Sequence, residues 1–217
     1  MPAIDSLKLL FELDSALYTL QGQESVRYGE GLHTKHKHIR YHDFFIQRIG
    51  PGSNVLDVGC GNGALAHDIA THIEGGAVYG IDILPANIEY ARQHYSMNQI
   101  CFVCGDALSA SALPDKEFDV IVLSNVLEHL EKRVDFLREL QKRYHPRKYL
   151  IRVPLYERDW RVPLKEELGM DYRLDSTHFI EYRQNEFFQE INEADLRIEY
   201  SQVNWGEIWT EIVSMDV

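Results

Sequence analysis

Three glycines spaced two apart, Gly59, Gly61 and Gly63, close the segment Val55-Leu-Asp-Val-Gly-Cys-Gly-Asn-Gly63. Residues 54–58 before them form a short apolar run that reads as a strand, and residues 64–73 read as a helix. A glycine turn between strand and helix leaves backbone N–H groups free and adds little bulk, so a ligand can approach the main chain. Asp57 lies two residues before the first glycine. A carboxylate there suits a ligand ammonium and sits badly beside a pyrophosphate. Polar residues also follow the next apolar runs: Asp82 with Ile83, Asp106 with Ala107, and Ser124 with Asn125, then Glu128 and His129. An acid at the second strand tip can accept both hydroxyls of a ribose. One at the third can accept from the exocyclic amine of an adenine.

Two cofactor classes use such a turn, dinucleotides and S-adenosylmethionine (SAM). The spacing G-x-G-x-G with Ala64 next meets the dinucleotide pattern only in relaxed form. Together with Asp57 and Asp106, it favours SAM. A nicotinamide-dependent oxidoreductase is the alternative, because an acid at the second strand tip serves both cofactors.

These tips need a parallel sheet to align them. Strands are expected at 54–58, 77–81, 100–104, 118–123 and 149–153, with helices at 64–73, 85–94 and about 127–144 between them. This alternation predicts an α/β doubly wound sheet with helices on both faces, and ligands at its carboxyl edge. Residues 4–20 fit an amphipathic helix, with Gly22 and Gly29-Glu-Gly31 marking a loop, and 34–48 fit a second helical stretch. Residues 154–182 read as an irregular insertion, 185–193 as a helix, and 196–203 and 207–213 as strands. The expected division is an N-terminal helical lid, 1–48, and a cofactor-binding domain, 49–217.

The chain has 217 residues and a net charge of −12. So acidic a chain repels phosphate backbones, which argues against nucleic acid as substrate. No apolar run reaches membrane-span length and the N-terminus does not read as a secretory signal, so a cytoplasmic protein with no membrane partner is expected. The three cysteines supply no disulfide framework, and Cys101 and Cys104 read as buried strand thiols. His33, His36, His38 and His42 are interleaved with Lys35, Lys37 and Arg40, whose charge opposes a metal cation. Glu128 and His129 with a carboxylate from the insertion make a second weak set, and no metal is assigned.

The pieces VLDVGCGNG (55–63), GID (80–82), GDA (105–107) and FDVIVLSNVLEHL (118–130) resemble the class I SAM-dependent methyltransferases, in order and spacing, over about residues 50–153. The resemblance implies a seven-stranded, mostly parallel sheet whose last strand is antiparallel. It also implies that Gly59, Cys60, Gly61 and Gly63 line the methionine part of SAM, with Asp57 near its amino group. Asp82 and Ile83 would then meet the ribose, Asp106 and Ala107 the adenine, and Ser124 and Asn125 would complete the edge. Cys60 occupies a position often held by cysteine in that family and needs no redox role.

Methyl transfer from a sulfonium is an in-line displacement, so the protein aligns donor and acceptor and removes a proton. Histidine suits that last task near neutral pH. His129 is the first candidate, with Glu128 to orient it, and His178 in the insertion is the second. Tyr28, His33, Tyr156 and Arg173 are candidates for acceptor contacts. Residues 175–209 resemble, more loosely, bacterial methyltransferases of glycan or secondary-metabolite pathways. The expected partner is a small polar acceptor, methylated at a hydroxyl, with S-adenosylhomocysteine as product. A binding protein without turnover is the second reading, and protein methylation is a weaker one. The apolar face of helix 4–20 fits either a lid or a homodimer contact.

Overall fold

The computed structural model describes residues 2–30, 33–109, 113 and 117–215; Gly31 of the expected loop lies outside them. The described residues form a seven-stranded sheet in the order β3-β2-β1-β4-β5-β7-β6. The strands are β1 (Asn54–Val58), β2 (Ala77–Asp82), β3 (Ile100–Cys104), β4 (Val120–Ser124), β5 (Lys148–Pro154), β6 (Leu196–Asn204) and β7 (Glu207–Ser214). β1 to β5 pair in parallel, and β7 runs antiparallel to both β5 and β6. The expected doubly wound sheet with an antiparallel last strand is therefore present.

β1 and β4 are the middle of the sheet and are covered on both faces, which explains their unbroken apolar runs. Period two divides them. Leu56, Ile121 and Leu123 face one core with Leu137, Leu140, Phe187 and Ile191. Val55, Val120 and Val122 face the other with Phe44, Phe45, Leu65 and Ile69. The helices that cover these faces are α3 (Tyr41–Ile46), α4 (Ala64–His72), α5 (Pro85–His94), α6 (Arg133–Tyr144) and α8 (Gln184–Glu193).

Five local expectations are corrected. Helix α1 (Ala3–Tyr28) runs straight through Gly22, because one interior glycine costs only about 1 kcal/mol and the surrounding Leu20, Gln21, Gln23 and Glu24 favour helix. The stretch 34–48 is two helices, α2 (Lys35–Ile39) and α3, split at Arg40, whose φ is +52°. The helix expected from 127 starts at Arg133, after a separate 3-10 turn, Leu127–His129. The insertion is not wholly irregular, since it contains α7 (Arg161–Glu167). Cys101 and Cys104 are exposed, because β3 is the last strand on its side of the sheet and only Phe102 and Val103 take buried positions. No helix among the described residues is long and apolar enough to cross a membrane.

Candidate active site

The turn after β1 is tied to β2. The N–H groups of Gly59 and Cys60 both donate to the Ile81 carbonyl, at 2.8 and 3.1 Å. Asp82 then fixes its own carboxylate: Oδ2 accepts the Gly61 N–H at 2.9 Å and Oδ1 the Leu84 N–H at 2.8 Å. The three glycines have φ of +68°, +55° and +84°, a region that L side chains rarely adopt. Their surroundings differ. A Cβ at Gly59 would meet Val126, and one at Gly63 would meet Phe102 and Ala91, each closer than 3 Å. At Gly61 a Cβ would meet nothing within 4 Å. Gly59 and Gly63 are thus packing glycines, and Gly61 faces open space.

Asp57 is buried, and its Oδ2 has no hydrogen-bond partner. Burial, with the negative charge of Asp82 adding to it, pushes its carboxyl up to about 8. A buried acceptor without a donor costs about 1–3 kcal/mol, and a ligand ammonium would remove that cost. The Cys60 thiol is pushed well above its usual range, first by burial and then by Asp57, which agrees with a packing role. Beyond Asp82, Ile83 and Leu84 are exposed large apolar side chains, as a flat ring would need. Asp106 is exposed and accepts the Leu108 N–H at 2.9 Å, while Ala107 is buried beneath it.

Past the tip of β4, Asn125 has φ +58°. Its Oδ1 accepts from Arg152 Nε at 2.6 Å, and its N–H donates to the Arg152 carbonyl at 2.8 Å. Arg152 is buried on β5 with its guanidinium 3.7 Å over the Tyr41 ring. Beside Asn125 opens a cavity of about 730 Å³. Its wall includes Asp14, Ser15 and Tyr18 from α1, His33 and Lys35, His129, several residues of the insertion, and Trp205.

The two candidate histidines meet there, with ring centroids 4.6 Å apart in an edge-on arrangement. His129 Nδ1 is 2.9 Å from Thr177 Oγ1. Burial, then the neighbouring His178, lowers the pKa of His129 below its usual range. His178 Nδ1 lies 2.9 Å from Oε1 of buried Glu181, which in turn pairs with Arg158 at 2.6 Å. Glu128 is fully buried and neither carboxylate oxygen has a partner; burial pushes its carboxyl up to about 7.

The expected residues therefore divide. His33, Asn125, His129, Arg173 and His178 line the cavity. Tyr28 is exposed at the end of α1 and is not part of that wall. Tyr156 is buried outside it, bonded to Glu166 and stacked under Arg183 at 3.6 Å. The hairpin from Trp205 to Trp209 is split: Trp209 is buried against Phe44, and Trp205 is exposed at the cavity. Sequence reasoning missed Arg152 and Glu181. An arginine inside the apolar run of β5 and a glutamate three residues after His178 were the available signals.

Residues 56–151 match the methyltransferase-domain family. The chain is 34% identical over 105 residues to the mitochondrial ubiquinone biosynthesis O-methyltransferase of Schizosaccharomyces pombe, covering 46% of this chain and 37% of that one. It is 35% identical over 127 residues to the ribosomal protein L11 methyltransferase of Burkholderia lata, covering 58% and 37%. The chain thus spans well under half the length of these curated relatives. Among solved structures, magnesium protoporphyrin IX methyltransferase from Synechocystis PCC 6803 with bound S-adenosylhomocysteine superposes with a TM-score of 0.66 at 18% identity, covering 88% and 86%. A SAM-dependent methyltransferase from Aquifex aeolicus gives 0.65 at 19%, covering 82% and 92%. Residues 56–151 are thus a methyltransferase domain by sequence, and the sheet order and glycine turn bear out the resemblance to the class I SAM-dependent methyltransferases.

Proposed function

We propose that this protein transfers a methyl group from SAM to a hydroxyl of a small polar acceptor, a sugar or similar metabolite, bound in the cavity beside Asn125. The observation that carries the reading is the cavity itself. It adjoins Asn125 at the tip of β4, and at about 730 Å³ it has the size of a small-molecule site. By their names one relative is an O-methyltransferase of ubiquinone biosynthesis and another a ribosomal protein L11 methyltransferase, so the acceptor is argued from the cavity alone. In the same reading residues 1–48 form a lid over 49–217, with α1 lending Asp14, Ser15 and Tyr18 to the wall.

The cofactor supplies a methyl on a sulfonium; its transfer makes one O–C bond, breaks one S–C bond and frees one proton. Asp57 holds the amino group, Asp82 the ribose and Asp106 the adenine amine. The Glu128–His129–His178 cluster receives or directs the acceptor's proton, and His33 and Arg173 contact the acceptor. The test is calorimetry with S-adenosylhomocysteine, where binding near micromolar, on the order of −8 kcal/mol, is expected. Asp82→Ala should weaken it by about 1–3 kcal/mol. Methyl transfer is then assayed over a panel of polyhydroxylated acceptors for wild type, His129→Gln and His178→Gln. Absence of S-adenosylhomocysteine binding refutes the reading, as does full activity in both histidine variants.

A further inference from the structure

We infer that Glu128, His129 and His178 form a binding site for one divalent transition-metal ion, open toward the cavity. Each residue offers a ligand atom, and these atoms lie within 4.8 Å of one another. An ion with bonds of ~2.1 Å sets its ligands roughly 3–3.5 Å apart, so modest side-chain rotations bring all three onto it. Among the described residues no other such trio converges.

Three features distinguish this cluster from ordinary packing. Glu128 is fully buried, yet both its carboxylate oxygens lack a partner; a buried acceptor in that condition calls for a donor or a cation. The histidines are held in the tautomer that ligates. The Thr177 hydroxyl donates to Asp175 Oδ1 at 2.8 Å, so its oxygen is left to accept from His129 Nδ1–H at 2.9 Å. That places the lone pair of His129 on Nε2. His178 directs Nδ1–H to Glu181 Oε1 at 2.9 Å, again leaving Nε2 bare. Finally, Glu181 behind His178 completes a carboxylate–histidine pair of the kind that orients metal ligands. It is anchored by Arg158 at 2.6 Å and by the Leu174 N–H at 2.6 Å.

Two imidazoles and one carboxylate favour Zn²⁺, Mn²⁺, Fe²⁺ or Co²⁺ over all-oxygen cations, and three ligands leave positions for another molecule. His129 and His178 line the cavity, so those positions face it. The fitting acceptor offers two adjacent oxygens, such as a vicinal diol, which chelates the ion and loses a hydroxyl proton to water more readily there. That role rests on the methyltransferase reading above; the binding of the ion does not.

Chelator-treated protein is titrated with ZnCl₂ and with MnCl₂ by calorimetry, with the electron paramagnetic resonance of free Mn²⁺ as a second readout. One ion per chain is expected, with affinity reduced at least tenfold in both Glu128→Gln and His178→Gln and unchanged in His36→Gln. Retained S-adenosylhomocysteine binding certifies that each variant is folded. Failure of both ions to bind a protein that binds S-adenosylhomocysteine overturns the inference, as does an affinity indifferent to both substitutions. Ion binding without S-adenosylhomocysteine binding upholds the metal site and overturns the methyltransferase reading instead.

Discussion

Replacing Asp57 by Asn is expected to stabilise the cofactor-free protein at pH 8 much more than at pH 5. In the folded state the Asp57 carboxyl is pushed up to about 8 from an ordinary 3.8, first by burial and then by Asp82. Between those two values the folded protein keeps a proton that the unfolded chain has lost. The folded state therefore binds more protons, and stability falls as pH rises through this window. One pK unit corresponds to about 1.36 kcal/mol, so the three units from pH 5 to pH 8 set an upper bound of about 4 kcal/mol on the loss. Asn cannot ionise, and the variant lacks this slope. The assay is urea unfolding of wild type and Asp57→Asn at pH 5, 6.5 and 8, comparing the stability gap between the two proteins. Saturating S-adenosylhomocysteine should reverse the ranking at pH 8, because its ammonium compensates the wild-type carboxylate and finds no charge to pair with in the variant. A gap identical at pH 5 and pH 8 would falsify the view of Asp57 as a carboxylate held in waiting for a cation.

The loop glycines separate packing from binding. Gly63→Ala should cost at least ~2 kcal/mol of stability, since φ is +84° and the new methyl runs into Phe102 and Ala91; an unchanged melting temperature contradicts this. Gly61→Ala should cost only about 1 kcal/mol, because nothing lies within 4 Å, yet it should lose at least tenfold in S-adenosylhomocysteine affinity. Arg158→Met leaves Glu181 buried without its guanidinium, so a loss of ~3 kcal/mol at pH 7 is expected. Urea unfolding of wild type and variant reads the loss, and an unchanged stability would contradict this role for the pair.

The candidate cofactor edge was legible because each of its parts is local. An apolar run of five or six residues followed by Asp82, Asp106 or Ser124-Asn125 carries strand, tip and candidate ligand group in one stretch, and parallel alternation aligns the tips. The lengths of α1 and of the segment after Leu127 were less legible, since a single glycine and a one-turn 3-10 helix hardly disturb an apolar periodicity. The exposure of Cys101 and Cys104 depends on β3 being outermost, which no local pattern encodes. The acceptor side is wholly non-local. His129 and His178 are brought together by an insertion whose course is set by Phe179 N–H donating to the Glu128 carbonyl at 2.7 Å. Arg152 was visible as a charge in an apolar strand, but its partners Tyr41 and Asn125 lie far away in the chain. The same blindness put Tyr156 on the acceptor list, although the arginine beside it in space, Arg183, is what it stacks on.

The charges around the cavity bear on which acceptor it suits. Arginines at a pocket are commonly read as anion receptors, yet three of these are already engaged. Arg158 is paired with Glu181, Arg161 with Asp159 and Asp14, and Arg173 with Asp171. A phosphate or carboxylate that recruited one of these arginines would have to break its pair, and for Arg158 it would strand a buried glutamate. Neutral hydroxyls face no such cost, because they can add hydrogen bonds to carboxylate and guanidinium edges without displacing either. These pairings support the proposal of a neutral polyhydroxylated acceptor over one that would recruit the arginines of the wall.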